Sequence, residues 1–179
     1  MNLFYLSDSP DECAQFHCNK HVVKMILEYA QMLSVAHRVM DGHQKPWRLP
    51  DEREATLYKV THQNHPTSIW VRQNIETYAW TVQLLKHLLD EYTVRYGKVH
   101  KVQKDGLDVL LSNPPTNLNI GAFIEPPQAM PEEFRVAGDS IRAYRNYYIK
   151  DKFRFAKWSV RQEPYWWIHD HRPTSGSFV

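Results

Sequence analysis

Seven apolar residues, Val71, Ile75, Tyr78, Val82, Leu85, Leu89 and Tyr92, recur at steps of four and three. That spacing places them on one stripe of a helix and on no face of a strand. It predicts a long amphipathic helix from about Thr67 to Tyr96, ended by Gly97. A second periodic stretch precedes it, with Phe16, Val22, Val23, Ile26, Ala30 and Leu33 on its apolar side. Ser9-Pro10-Asp11-Glu12 reads as its start, since serine caps, proline fits the first helical position and glutamate closes a capping box. This helix is expected to reach Met40, with Gly42 just past its end and a length that allows a break near Cys18-Asn19. A third helix, about 140–157, follows Asp139 as its cap. Three helices with long irregular connections give an all-α fold, read as a single domain over 1–179.

The connections are read from their punctuation. Asn2 to Leu6 is a short apolar start, a strand or an extended arm. Residues 43–66 are irregular apart from a short helix within 51–59. Residues 112–131, with Asn113-Pro114-Pro115 and Glu125-Pro126-Pro127, form an ordered but irregular connection.

Composition excludes several classes. No apolar run of about 18 residues predicts a membrane span, and the first residues lack the basic start and apolar core of a signal peptide. Cys13 and Cys18 do not make a CxxC and cannot build a disulfide scaffold, so a reducing cytoplasm is the expected location. There is no glycine-rich phosphate loop and no GxSxG. The net charge is only +2, but it is uneven. Residues 106–133 carry four acidic groups and no Lys or Arg, whereas residues 134–179 carry nine basic groups against four acidic ones. The latter stretch also holds Tyr144, Tyr147, Tyr148, Phe153, Phe155 and Trp158, a basic and aromatic mixture that suits nucleic acid or simply a core with a wet face.

One face of the first long helix carries chemistry. His17, His21, Lys24, Glu28, Gln31 and Arg38 share a stripe if the helix is continuous. A mid-helix carboxylate flanked by Lys24 and Gln31 can act as a general acid or base or stabilise a developing cation. It can equally form an ordinary i, i+4 ion pair with Lys24. His17 and His21 have the spacing of a two-histidine metal site, to which His62, His65, His169 or His171 would add a ligand, but no glutamate follows His17. The alternative is that they hydrogen-bond backbone or phosphate. His62, Asn64 and His65 lie at the start of the second long helix, where free N–H groups favour a phosphate, with Trp70 and Arg72 following. Arg95, Lys98, His100 and Lys101 form a basic patch expected to hold DNA phosphates.

Asn2-Leu3 near the start, Asn19-Lys20-His21, Glu28 seven residues later, Gly42, the helix ending Arg95-Tyr96-Gly97 and the Tyr144-Tyr147-Tyr148 cluster together resemble the pyrimidine-dimer DNA glycosylases of the bacteriophage endonuclease V type. The segments HCNKHVVKMILE and THQNHPTSIW also resemble phage proteins, which implies a viral role in DNA metabolism. The family resemblance implies a helical fold and an N-terminal amine that attacks deoxyribose C1′ with help from a glutamate, here Glu28. Asn2 is large for removal of the initiator methionine, so the amine is expected to be that of Met1. An α-amine ordinarily titrates near pH 8, leaving a nucleophilic fraction at neutral pH.

The resulting expectation is a DNA N-glycosylase, with or without a lyase step, that removes a damaged or modified base and needs no cofactor. Glu28, Met1, His21 and Lys24 are its catalytic group. His17, Lys20, Gln31, His62, Asn64, His65, Trp70 and Arg72 bind substrate, and DNA is the partner of a monomer. Two other readings stay open: a metal-dependent nuclease or hydrolase using a histidine cluster, and a non-enzymatic viral protein that binds DNA or a host factor.

Overall fold

The computed structural model describes residues 1–44 and 46–167. It is all-α, as expected, with eight α-helices in the described residues and a single isolated bridge, His43 to Arg48, in place of any strand. Two helices form the frame, α2 (Asn19–Asp41) and α5 (Ile75–Tyr96). They run antiparallel. His37 Nε2 meets the Tyr78 hydroxyl at 2.9 Å near one end, and Arg95 donates to Asn19 Oδ1 at 3.2 Å at the other.

The first predicted helix is two helices. α1 (Pro10–Phe16) is capped by Ser9, and α2 begins after a break at His17-Cys18. The break has a cause. The Cys18 amide donates to the Tyr148 hydroxyl at 3.3 Å and the Asn19 amide donates to Lys157 O at 2.8 Å, so two donors that a continuous helix would use internally go to the C-terminal segment. The second predicted helix is also divided, into α4 (Pro66–Val71) and α5. Asn74 accepts from the amides of Glu76 and Thr77, Thr77 returns the bond, and this capping box restarts the chain. Gly97, at φ 63°, ends α5.

Short helices fill the remainder. α3 (Arg53–Thr56) lies within the stretch where one was expected. The basic patch after Gly97 contains two more, α6 (Lys101–Lys104) and α7 (Leu107–Leu111), set by buried Val102, Leu107 and Leu111. The third predicted helix is an eight-residue α8 (Ser140–Tyr147) that widens into a π turn at Tyr148–Lys152. Residues 112–131 are irregular yet tied down. Asp41 accepts the amides of Thr116 and Asn117, Asn74 donates to Ala122 O, and Trp70 donates to Ile124 O.

Leu3 to Leu6 are buried without forming a strand, and they thread the centre of the molecule. Phe4 stacks on His21 at 4.4 Å and meets Tyr148 edge-on at 5.2 Å. Fully buried Tyr29, Tyr78, Tyr144 and Tyr148 knit the early and late parts of the chain into one core. Each such aromatic or aliphatic side chain contributes about 1.5–3 kcal/mol by burial, which stabilises the fold without a disulfide; Cys13 and Cys18 are both free. A buried ionic cluster fastens the side of the frame, with Glu91 accepting from Arg95 at 2.9 Å and from Arg161 at 2.7 Å. Among the described residues, no helix is long and apolar enough to cross a membrane.

Candidate active site

The start of the chain, the middle of α2 and the start of α4 meet at one place. Asn2 is pinned from two sides: its side-chain amide donates to Ala129 O at 3.0 Å, and its backbone N–H donates to Glu28 Oε2 at 2.9 Å. The next residues hold that register. The Phe4 amide donates to the hydroxyl of Tyr29, the residue after Glu28, at 3.1 Å. The amine of Met1 then lies 3.8 Å from the same Glu28 oxygen. The Met1 side chain is 2% exposed and takes a hydrogen bond from Ser68 of α4 onto its sulfur at 3.1 Å. Glu28 is 14% exposed, and its other oxygen lies 3.5 Å from the Lys24 ammonium, which is itself largely solvated. The carboxylate therefore has an amide donor on the protein side and a largely solvated cation on the open side.

His65 completes the group. As the N-cap of α4 it accepts the Thr67 amide on Nδ1 at 3.3 Å, so the neutral ring carries its proton on Nε2. Its imidazole is held below the ordinary histidine range, first by burial, then by the positive charges of the chain's amine and of His62, against the opposing pull of Glu28. A cavity of about 610 Å³ opens alongside, lined by Pro66, Pro127, Gln128, Ala129, Glu132 and Arg135 among others. Pro66 adjoins His65, and Ala129 is the residue that holds Asn2. The loop forming the far wall is rigid, because Gln128 exchanges two side-chain hydrogen bonds with the backbone of Val136, and Arg135 donates to Met130 O.

Other residues singled out from the sequence lie elsewhere. His17 leaves the stripe because the helix breaks there. It is fully buried, with Nδ1 against Cys13 O at 2.7 Å and Nε2 against the Tyr29 hydroxyl at 2.8 Å, and burial lowers its pKa to about 4. His21 is packed between Phe4 and Tyr148, with Nδ1 at 2.5 Å from the Tyr148 hydroxyl. Burial, with help from the charges of His17, Lys152, Lys24 and Lys20, lowers its pKa to about 2. These two histidines are core members whose ring nitrogens serve the fold, which removes the pair proposed for a metal. Among the described residues no cluster of three or more His, Cys, Asp or Glu could hold a metal ion; His169 and His171 lie outside them.

Trp70 is 3% exposed and spends its indole N–H on Ile124 O at 2.7 Å, so it belongs to the core rather than to a base. Arg72 turns back onto Ser68 O at 2.9 Å. Arg95 is 1% exposed at its side chain, paired with Glu91 and bonded to Gln15 O and His17 O. It locks α1 to α5, and its guanidinium has no face left for phosphate. His100 caps α6, and Lys101 pairs with Asp105 at 2.5 Å. Lys98 and Lys20 are exposed, the latter with its ammonium over the Phe155 ring. Gln31 is half-buried, one turn beyond Glu28, while His62 and Asn64 are exposed on the approach to His65. Sequence reasoning missed the Asn2 amide, Ser68 and the Pro127–Ala129 wall. An amide and a serine carry no pattern, but an ordered proline-rich stretch of this length was itself a signal of function.

A family model described as pyrimidine dimer DNA glycosylase matches residues 1–105. No curated protein and no solved structure matches the chain. The matched stretch covers more than half of the 179 residues and contains the threaded start, both long helices, Glu28 and His65. The carboxylate and the amine thus lie within a sequence pattern of defined chemistry, and the chain belongs to the pyrimidine dimer DNA glycosylase family, an enzyme that breaks N-glycosyl bonds in DNA.

Proposed function

We propose that Glu28 is the catalytic carboxylate of this DNA glycosylase, that the amine of Met1 is its nucleophile, and that a damaged base, a pyrimidine dimer first among candidates, is removed at the cavity beside them. The observation that carries the reading is the amine at 3.8 Å from a carboxylate that is mostly shielded from water, with a cavity beyond the Ala129 that anchors Asn2. As the glycosidic bond weakens, positive charge grows on the sugar, and a fixed anion at that position stabilises it. The amine in its neutral form attacks C1′, the base leaves with the bonding electron pair, and the proton lost by the nitrogen passes to Glu28. The product is an aminal; transfer of the Glu28 proton to O4′ breaks the C1′–O4′ bond and leaves an iminium, from which a lyase step removes a C2′ proton and expels the 3′ phosphate.

The surrounding residues have separate tasks. The Asn2 amide orients Glu28 so that one oxygen faces the amine. Lys24 offsets the carboxylate's charge until DNA displaces it. His65 offers a neutral Nε2–H donor to the substrate, and Gln31 extends the same face. His21 positions Phe4, and through it the chain start, instead of touching substrate. Lys20, Lys98 and Lys101 supply phosphate contacts. The reading places the enzyme in the cytoplasm, acting as a monomer.

The test uses duplex oligonucleotides that carry a cyclobutane pyrimidine dimer or other modified bases. Glu28→Gln keeps an acceptor for the Asn2 amide and removes the charge, so excision is expected to fall by roughly 10²–10³ while the fold persists. Borohydride trapping followed by peptide mass mapping should place the adduct on the Met1 nitrogen. Undiminished excision by Glu28→Gln, or an adduct on a lysine, overturns the assignment.

A further inference from the structure

The start of the chain is held at a second point, inside its amine. Both polar groups of the Phe4 backbone are taken by buried side chains. The N–H donates to the Tyr29 hydroxyl at 3.1 Å, and the carbonyl accepts the Cys13 thiol at 3.2 Å. Both partners lead to His17, whose Nε2 lies 2.8 Å from the Tyr29 hydroxyl and whose Nδ1 lies 2.7 Å from the Cys13 carbonyl. Hydrogen bonds thus close a ring from Phe4 through Tyr29, His17 and Cys13 back to Phe4. Cys13, His17 and Tyr29 have no exposed surface, and Phe4 is 4% exposed.

The direction of each proton in this ring is determined. A carbonyl only accepts, so Nδ1 of His17 carries a hydrogen and donates it to Cys13. Burial lowers the imidazole to about 4, so the ring is neutral at physiological pH and Nε2 keeps a bare lone pair. Tyr29 must then give its hydroxyl proton to His17, and burial keeps the phenol from losing it to solvent. What remains on the Tyr29 oxygen is lone-pair density, and that is what the Phe4 amide meets. His17 fixes which way the hydroxyl points, and the hydroxyl fixes the amide.

The relay bears on the reacting end of the chain. Tyr29 follows Glu28 on α2, and these adjacent side chains take alternate amides of the threaded start, Phe4 and Asn2. One turn of helix therefore carries both the carboxylate and the clamp that sets the chain against it. From Phe4 to Met1 the backbone spans at most about 10 Å, so an error at the clamp reaches the amine with little slack to absorb it. Attack needs the reacting atoms about 3–3.5 Å apart, and a misplacement of about 1 Å can cost about 10²-fold in rate. A core built for stability alone gains little from a buried imidazole and phenol, since apolar side chains of similar volume bury as well with no proton partners to satisfy.

We propose that His17 and Tyr29 are positioning residues for the nucleophile: through the Phe4 amide they set the register in which the Met1 amine is presented to the sugar, and neither side chain touches substrate. The proposal rests on the reading that the Met1 amine attacks C1′. It assigns a part different from that of His21, which packs against the Phe4 ring, whereas His17 and Tyr29 act on the Phe4 backbone.

Tyr29→Phe keeps the ring and removes the hydroxyl. The measurements are made on the intact protein at a temperature where circular dichroism shows every variant folded. They are the single-turnover rate of excision from a dimer-containing duplex, the rate of borohydride-trapped adduct on an abasic-site duplex, and the affinity for a duplex with a tetrahydrofuran residue, which has no base to lose. Tyr29→Phe should slow both rates by about 10–100-fold and leave the affinity within about twofold of wild type. His17→Leu should do the same, and the double variant should be no slower than the slower single one, because one relay is lost only once. His17→Gln, whose side-chain oxygen can accept the Tyr29 hydroxyl, should return to within about threefold of wild type. Affinity that falls in step with the rates marks a general loss of structure and overturns the proposal. So do full rates in Tyr29→Phe with the adduct on Met1, and losses that multiply in the double variant. An adduct on a lysine in wild type removes the Met1 reading, and the proposal with it, before any variant is compared.

Discussion

Three histidines are buried and kept uncharged by separate neighbourhoods. Burial lowers His17 and His37 to about 4 and His21 to about 2, and the Arg53 guanidinium beside His37 adds to the effect there. For His17 the unfolded chain binds a proton near pH 6.5 and the folded chain only near 4. Stability is therefore whole above pH 6.5 and declines as the pH falls through that window. By pH 4 the loss from this residue is about 3 kcal/mol, roughly 6–12 °C in Tm for a chain of this size. His17→Gln, which cannot take up the proton, should show a shallower acid decline between pH 7 and pH 4 in thermal melts followed by circular dichroism. An equal decline in both proteins would assign the acid sensitivity elsewhere. The same residue shows where sequence reasoning stopped. Four-residue spacing put His17 beside His21 only on a continuous helix, and the Tyr148 hydroxyl and Lys157 carbonyl that break the helix lie about 130 residues away in sequence. For Glu28 the sequence showed the local i, i+4 contact with Lys24, and that contact is present. The Asn2 amide that orients it was not legible, since a backbone donor has no signature.

At the scale of elements, caps explain what the apolar period did not. The stripe from Val71 to Tyr92 continues through residues 72–74, so periodicity alone reads one helix. Asn74 and Thr77 are a capping pair written into the sequence, and they divide it. Asn74→Ala removes the acceptor of two helix amides and the donor to Ala122 O, for an expected loss of about 2 kcal/mol, or roughly 4–8 °C in Tm. Asn74→Asp should restore the cap but not the Ala122 bond and melt in between. α6 and α7 escaped notice because four and five residues are too few to show a period. α8 was expected at its observed start, where Asp139 accepts the Arg142 amide at 2.9 Å. Its widening after Tyr147 depends on Tyr148 turning inward to Cys18 and His21, a tertiary demand.

For the whole molecule, charge distribution matters more than the total of +2. DNA affinity should fall with salt, and each lysine that neutralises a phosphate should reduce the slope of log affinity against log salt by about 0.9 when removed. Lys98→Ala is expected to do so with unchanged melting. Arg95→Ala should instead lower Tm, because that side chain joins α1, α2 and α5 through Gln15, His17, Asn19 and Glu91. Filter binding across a salt series, paired with melting, separates the two behaviours. The all-α class and the family were both legible from the first hundred residues. The contribution of the late, aromatic third was not, because composition distinguishes poorly between side chains that stack on one another and side chains that stack on bases.

The threaded start has a bearing on synthesis. Phe4 is covered by Tyr147 and Tyr148, and Asn2 is anchored by Ala129, so these residues find their final partners among residues made more than a hundred positions later. A fragment limited to the family-matched segment lacks Ala129 and the late tyrosines, so it is not expected to hold Asn2 and the Met1 amine in register against Glu28.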